Sequence, residues 1–282
     1  SCGRKCFQTI PGHFWDYYYF IKTKENEIWV IEEDGEIQSM LQLNPYQLQV
    51  AEHPFLCRYI IAVATRAQYR SRGYMSSLLR KAMQEMYGKK EPFTFLMPAA
   101  EAIYTPYDFR FVYSQRQAVF EKKAETELIE EEDATMFQAE ELAAFAKERL
   151  FGTARVYAVR DAHYYQTRVL EQQSENGGIR MLKKDGKLVG IYCYAKEETC
   201  EVLEPLILPG YETVFWDSIS GLSEKPVKVL ACPEVLEPCA RVCGEETDDH
   251  GTILHLETLL SVLTVKEGER SFLFLLRSLI RS

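Results

Sequence analysis

The chain has 282 residues, 46% of them hydrophobic and 27% charged, with 15 Gly and 11 Pro. That length suits two domains at roughly 100–200 residues each, and the apolar fraction excludes wholesale disorder and collagen-like or low-complexity architectures. The formal charge of −9, from 33 basic and 42 acidic residues, argues against general nucleic-acid affinity, which needs a basic face to neutralise phosphates.

No apolar run approaches the ~18–20 residues of a membrane span. The N-terminus has basic residues without an apolar core behind them, so it does not read as a signal peptide. It starts with Ser rather than Met, and a fragment of a longer chain is expected. Eight cysteines (Cys2, Cys6, Cys57, Cys193, Cys200, Cys232, Cys239 and Cys243) form no CxxC pair, and only five His are present. No metal site has zinc spacing. Free thiols in a reducing cytoplasm are expected, with Cys57 and Cys193 acting as small buried hydrophobes.

In chain order, residues 14–20 read as the aromatic end of a helix that packs on a sheet. Strands are expected at 27–31 and 37–43, joined at Asp34-Gly35, which tolerate the positive φ of a tight hairpin. A short strand at 46–50 follows Asn44-Pro45, and the β-branched apolar run 55–65 reads as a central buried strand. A polar loop over 66–72 and Gly73 lead into a helix whose Met75, Leu78, Leu79, Ala82, Met83 and Met86 share one face. Gly88 is expected to end that helix. Residues 93–97 read as a buried strand stopped by Pro98, 99–104 as a helical turn, and 109–120 as the last strand of a first domain. The charged stretch 121–134 reads as an interdomain linker. Beyond it, 179–190 echoes 28–37: a strand, two charges, Asp-Gly, and a strand, each after an aromatic helix end. A strand at 201–208 and a helix at 211–222 follow, with nothing like the basic loop of the first copy. Residues 252–282 are apolar, first helical and then strand-like.

Chemistry concentrates in Val63-Ala64-Thr65-Arg66-Ala67-Gln68-Tyr69-Arg70-Ser71-Arg72-Gly73-Tyr74-Met75-Ser76. A buried strand runs into a basic loop and then a helix. Helix N-termini offer unpaired N–H groups and the positive end of the macrodipole, which suits a phosphate. Gly73 lets a bulky anion approach the backbone. The same residues would also make a solvated loop closed by a glycine. Neither GxxxxGK[ST] nor GxGxxG is present.

Arg70-Ser71-Arg72-Gly73-Tyr74-Met75 resembles the [QR]-x-x-G-x-[GA] motif of the GNAT acetyltransferases, with Met75 where Gly or Ala is usual. Together with Phe95-Leu96-Met97-Pro98-Ala99-Ala100-Glu101-Ala102-Ile103-Tyr104 it resembles the Eis-like branch. The resemblance implies an α/β (α+β) fold of two tandem GNAT-type domains, with mixed, mostly antiparallel sheets flanked by helices. Their expected limits are 1–122 for the domain with the acetyl-CoA site and 123–245 for a degenerate second copy. Residues 246–282 would begin an incomplete sterol-carrier-like domain.

The resemblance also implies roles. The edge of Val63, Ala64 and Thr65 would pair with the pantetheine arm of acetyl-CoA, with Ala99 and Ala100 alongside. Arg70 opens the motif, and the N–H groups of Ser71, Arg72, Gly73, Tyr74, Met75 and Ser76 would hold the pyrophosphate. Tyr104 matches the general acid, a phenol that stays protonated at neutral pH. Without the motif, Tyr104 would suit an aromatic cluster with Tyr107, Phe109 and Phe111; with it, the catalytic role is the expectation. The general base is left open between Glu101, Asp108 and water. The implied reaction is acetyl transfer to a primary amine of a small molecule or peptide, by an oligomeric protein without metal, membrane or nucleic-acid partners. A non-catalytic module binding CoA or another phosphorylated ligand is the alternative.

Overall fold

A computed structural model describes residues 22–231 apart from 51–52, 97, 99–100, 110–115, 121–128, 152, 155 and 197, together with 235, 236 and 238. The chain divides into two compact units. One comprises residues 1–113, 155–159 and 255–282, the other 114–154 and 160–254.

The first unit is built on a five-stranded sheet. Strands β1 (Glu27–Glu33) and β2 (Glu36–Val50) form the expected hairpin. Asp34 and Gly35 both adopt positive φ at its turn, as an Asp-Gly hairpin requires. Strand β3 (His53–Thr65) runs antiparallel to β2, and β4 (Thr94–Leu96) runs parallel to β3. Two strands were expected where β2 runs unbroken through Pro45. Its β1 partner stops at Glu27, opposite Leu43, so the missing proline N–H falls where β1 no longer pairs.

Between β3 and β4 lies helix α1 (Tyr74–Gly88), whose Leu78, Leu79, Ala82 and Met86 are buried. They form one core with Leu41, Leu43, Ile60 and Leu96. Gly88 is the last helical residue, and the left-handed position falls on Lys90. The opposite sheet face is aromatic, with Phe93, Phe95 and Tyr59 around Leu48 and Cys57. The short helix α2 (Glu101–Tyr104) follows β4.

The second unit holds a six-stranded sheet. Strand β5 (Arg116–Phe120) pairs there with β11 (Val227–Ala231). The final part of the strand expected at 109–120 therefore belongs to the second sheet, not the first. The expected linker is also partly structured. Glu130–Asp133 forms strand β6 at the sheet edge, where Glu131 and Asp133 pair with Arg180 and Glu132 with Lys183. Cross-strand ion pairs offset the poor strand propensity of glutamate. A capping box from Thr135 and Gln138 opens the 3-10 turn Met136–Gln138, which leads into helix α3 (Ala139–Phe151). The three-residue β7 (Val156–Ala158) then joins β2 in the first sheet.

Helix α4 (Ala162–Ser174) precedes β8 (Gly178–Lys184), β9 (Lys187–Lys196), β10 (Cys200–Ile207), helix α5 (Glu212–Ser220) and β11. The strand and helix expected after the hairpin echo are present, and β11 adds a strand that was not expected. In both sheets two antiparallel hairpin strands lead to a third, then a helix, then a parallel fourth strand. Residues 1–21 and 239–282, including the expected aromatic helix end and C-terminal segment, lie outside the described residues.

Candidate active site

The parallel ladder between β3 and β4 has three rungs, Arg58–Thr94, Tyr59–Phe95 and Ile60–Leu96. Two residues beyond the last rung, Ala62 has φ 54°, and the β2–β3 register slips between Met40 and Gln42. This is a β-bulge, which bends a strand and turns it from its neighbour. Beyond it Val63, Ala64 and Thr65 have β2 on one side and, among the described residues, no strand on the other. Their β2 side is held by Ser39, whose hydroxyl donates to the Ala64 carbonyl at 3.1 Å and lies 2.9 Å from the Thr65 hydroxyl. The Arg66 N–H donates to the Gln38 carbonyl.

The loop from this edge to α1 is basic and mostly exposed. Ser71 and Gly73 both adopt positive φ, at 61° and 85°, placing a left-handed residue on each side of Arg72. Gly73 caps the helix without a side chain, and the first turn contains no acidic residue. The N–H groups of Tyr74, Met75 and Ser76 are those a helix leaves without intrahelical partners. A Cβ on Gly73 would meet nothing within 4 Å, so the space in front of the cap is open.

The arginines divide their work. Arg66 pairs with Glu36, so its charge is compensated. Arg70 donates from Nε to the Thr65 carbonyl at 3.3 Å, tying the loop to the strand end and occupying one of the edge's acceptors. Arg72 lies over the Tyr69 ring at 4.8 Å. The Ser76 hydroxyl accepts from Arg80.

Tyr104 closes α2 and is buried. It shares one apolar cluster with Leu96 and Phe109, against which Val63, Met75 and Tyr107 pack. Its ring lies 5.7 Å from that of Phe109, so the aromatic packing expected for it is real. Burial pushes the phenol's pKa above its ordinary value, which favours the protonated form a general acid needs. Val63, Met75 and Tyr104 therefore share one cluster with Ile60 and Leu96, the last rung of the β3–β4 ladder. Ala99, Ala100 and Phe111 lie outside the described residues, and Asp108 is exposed at φ 65°. Sequence reasoning missed Ser39, Glu33 and Glu36. Their signal was positional, on the hairpin whose register brings them to the loop.

Sheet two carries a matching irregularity. Glu204 in β10 has φ 53°, and the register with β9 slips between Leu203 and Leu206. Where the first sheet has Ala62, this one has a carboxylate. Glu204 accepts from the Tyr164 hydroxyl at 2.7 Å and pairs with Arg168 at 3.2 Å and Arg160 at 3.4 Å.

Residues 3–112 match the family model of the acetyltransferase (GNAT) domain. The strand edge, basic loop and α1 all lie inside the matched residues. No curated protein matches the sequence. Among solved structures it is similar to a GCN5-related N-acetyltransferase from Anabaena variabilis, at 15% identity and TM-score 0.69 over 89% of this chain and 66% of that one. It is also similar to a probable N-acyltransferase from Enterococcus faecalis V583, at 15% identity and TM-score 0.68 over 81% and 61%. Eis1 from Mycobacterium abscessus is similar at 12% identity and TM-score 0.51 over 72% and 55%. These likenesses are of fold, and the chain spans less than two thirds of the length of each. Among the described residues, no helix is long and apolar enough to cross a membrane. Among the same residues, no three His, Cys, Asp or Glu gather as a metal site would.

Proposed function

We propose that the protein is an acetyl-CoA-dependent N-acetyltransferase acting on a primary amine of a small molecule or peptide in the cytoplasm. One observation carries this reading: the β3–β4 ladder ends at Ile60–Leu96, followed by a bulge and a basic, glycine-capped helix start inside a GNAT domain. The end of β3 beyond the ladder suits an extended pantetheine arm along Val63, Ala64 and Thr65, and the resemblance adds Ala99 and Ala100 to that arm's contacts. The N–H groups of residues 71–76 suit the pyrophosphate, with Arg70 and Arg72 supplying charge.

The amine nitrogen forms a bond to the thioester carbonyl carbon, and the oxygen takes up negative charge that backbone N–H donors stabilise. The C–S bond then breaks. Tyr104 gives its proton to the leaving sulfur, and the amine's proton passes to Glu101, Asp108 or water. The like topology of the second sheet supports an Eis-like pair of GNAT-type domains, the second without a basic loop.

Thiol release from acetyl-CoA across a panel of amines tests this reading. Turnover that Tyr104→Phe abolishes is expected. Acetyl-CoA binding without turnover on any amine would instead make the protein a binding module.

A further inference from the structure

Two carboxylates of the β1–β2 hairpin reach the loop that otherwise suits an anion. Bare electrostatics disfavours them there, since negative charge beside a phosphate site weakens binding. Glu36 takes Arg66. Glu33 does something different: its Oε1 accepts a hydrogen bond from the Tyr74 hydroxyl at 2.5 Å. That hydroxyl also interacts with the Arg72 side chain. Arg72 in turn covers the Tyr69 ring, and the Tyr69 and Tyr74 rings stack with centroids 6.0 Å apart. Glu33, Tyr74, Arg72 and Tyr69 therefore form one run of contacts that spans Gly73.

We propose that Glu33 is a positioning residue for the phosphate-binding loop, holding Arg72 and the start of α1 through the Tyr74 hydroxyl. The inference rests on the acyl-CoA reading of this site. The loop needs such a support. Ser71, Arg72 and Gly73 are exposed, and Ser71 holds a left-handed backbone that L-residues rarely adopt. Fixing the loop before the ligand arrives removes an ordering cost from binding. Glu33 does not touch the ligand in this scheme, so its negative charge is the cost of the support.

Charge and support predict opposite signs, which makes the proposal testable by titrating CoA into the intact chain. Glu33→Ala removes both the charge and the acceptor, and weakens CoA binding about tenfold, the worth of a hydrogen bond to a charged group. Glu33→Gln removes the charge but keeps an acceptor for Tyr74, and binds at least as tightly as the parent. Glu32→Ala, which removes an exposed charge from the same hairpin, binds no more weakly. Tyr74→Phe matches Glu33→Ala, and the double variant is no weaker than either single one. In turnover, Glu33→Ala raises KM for acetyl-CoA and leaves kcat unchanged.

Glu33→Ala binding CoA as tightly as the parent, or Glu32→Ala weakening it equally, overturns the support while leaving the site reading intact. A parent chain that binds no CoA overturns both.

Discussion

Ile60 and Leu96 are the last paired residues of the β3–β4 ladder, and the left-handed turn at Ala62 lies two residues beyond. A bulge inside a strand with neighbours on both sides leaves ladder groups unpaired and costs stability. Its position at the mouth of the basic loop fits a role in receiving a ligand.

Tyr104→Phe keeps the ring in its cluster with Leu96 and Phe109 and removes only the proton donor. A drop in kcat of about 10²–10⁴-fold, with KM for acetyl-CoA unchanged, is expected from steady-state kinetics. Burial raises this phenol's pKa, so any alkaline loss of activity due to Tyr104 falls above its ordinary value near 10. An unchanged kcat in the phenylalanine variant would remove Tyr104 from the chemistry.

Glu204→Ala takes from Arg160 and Arg168 the carboxylate they share, while Arg168 keeps Glu171. Breaking a buried pair costs at most about 3–5 kcal/mol, to be read from urea denaturation. CoA affinity, which the proposal places in the first unit, stays at the parent value. Weakened CoA binding in a variant that is still folded would contradict that separation.

Cys57 is buried, and burial pushes its thiol up to about 12 from an ordinary 9.0. Below pH 9 the thiol is neutral in both folded and unfolded chains, and stability is unaffected. Between about pH 9 and 12 only the unfolded chain ionises it, so stability falls as pH rises through that window. The slope is shallower in Cys57→Ala, measured by thermal melting at pH 8 to 11. Equal slopes would contradict the burial of this thiol.

Much of the first unit was legible because its signals are local. Asp34-Gly35 fixes a hairpin, the run from Met75 to Met86 fixes a helix face, and Arg70 to Gly73 carries a motif. Strand ownership was not legible. Whether 116–120 pairs with β4 or β11 depends on partners over 100 residues away, and an apolar strand reads alike in either sheet. Glu130–Asp133 looked like linker because its stability comes from Arg180 and Lys183 across the ladder. The bulge at Ala62 has no glycine or proline to announce it, whereas Pro205 lies within the slip at Glu204. Glu33 and Glu36 read only as charges flanking a hairpin turn, since only the β1–β2 register brings them against the basic loop.

Leu79 is fully buried in the core between α1 and the first sheet. Leu79→Ala is expected to destabilise the first unit by about 2–5 kcal/mol and to weaken CoA binding only as far as it unfolds the chain. Loss of binding at temperatures where the variant is still folded would show that α1 moves with its core contact.

Calorimetric titration of acetyl-CoA into the parent chain and into Gly73→Glu is the most direct test of the proposed site. The new side chain has open space before it, so the fold persists apart from about 1–3 kcal/mol of backbone strain at the left-handed position. Its carboxylate stands where the pyrophosphate is expected. Saturable binding by the parent, lost in Gly73→Glu at an unchanged far-ultraviolet spectrum, is the predicted result. No binding by the parent at millimolar acetyl-CoA, or equal binding by both chains, would contradict the site.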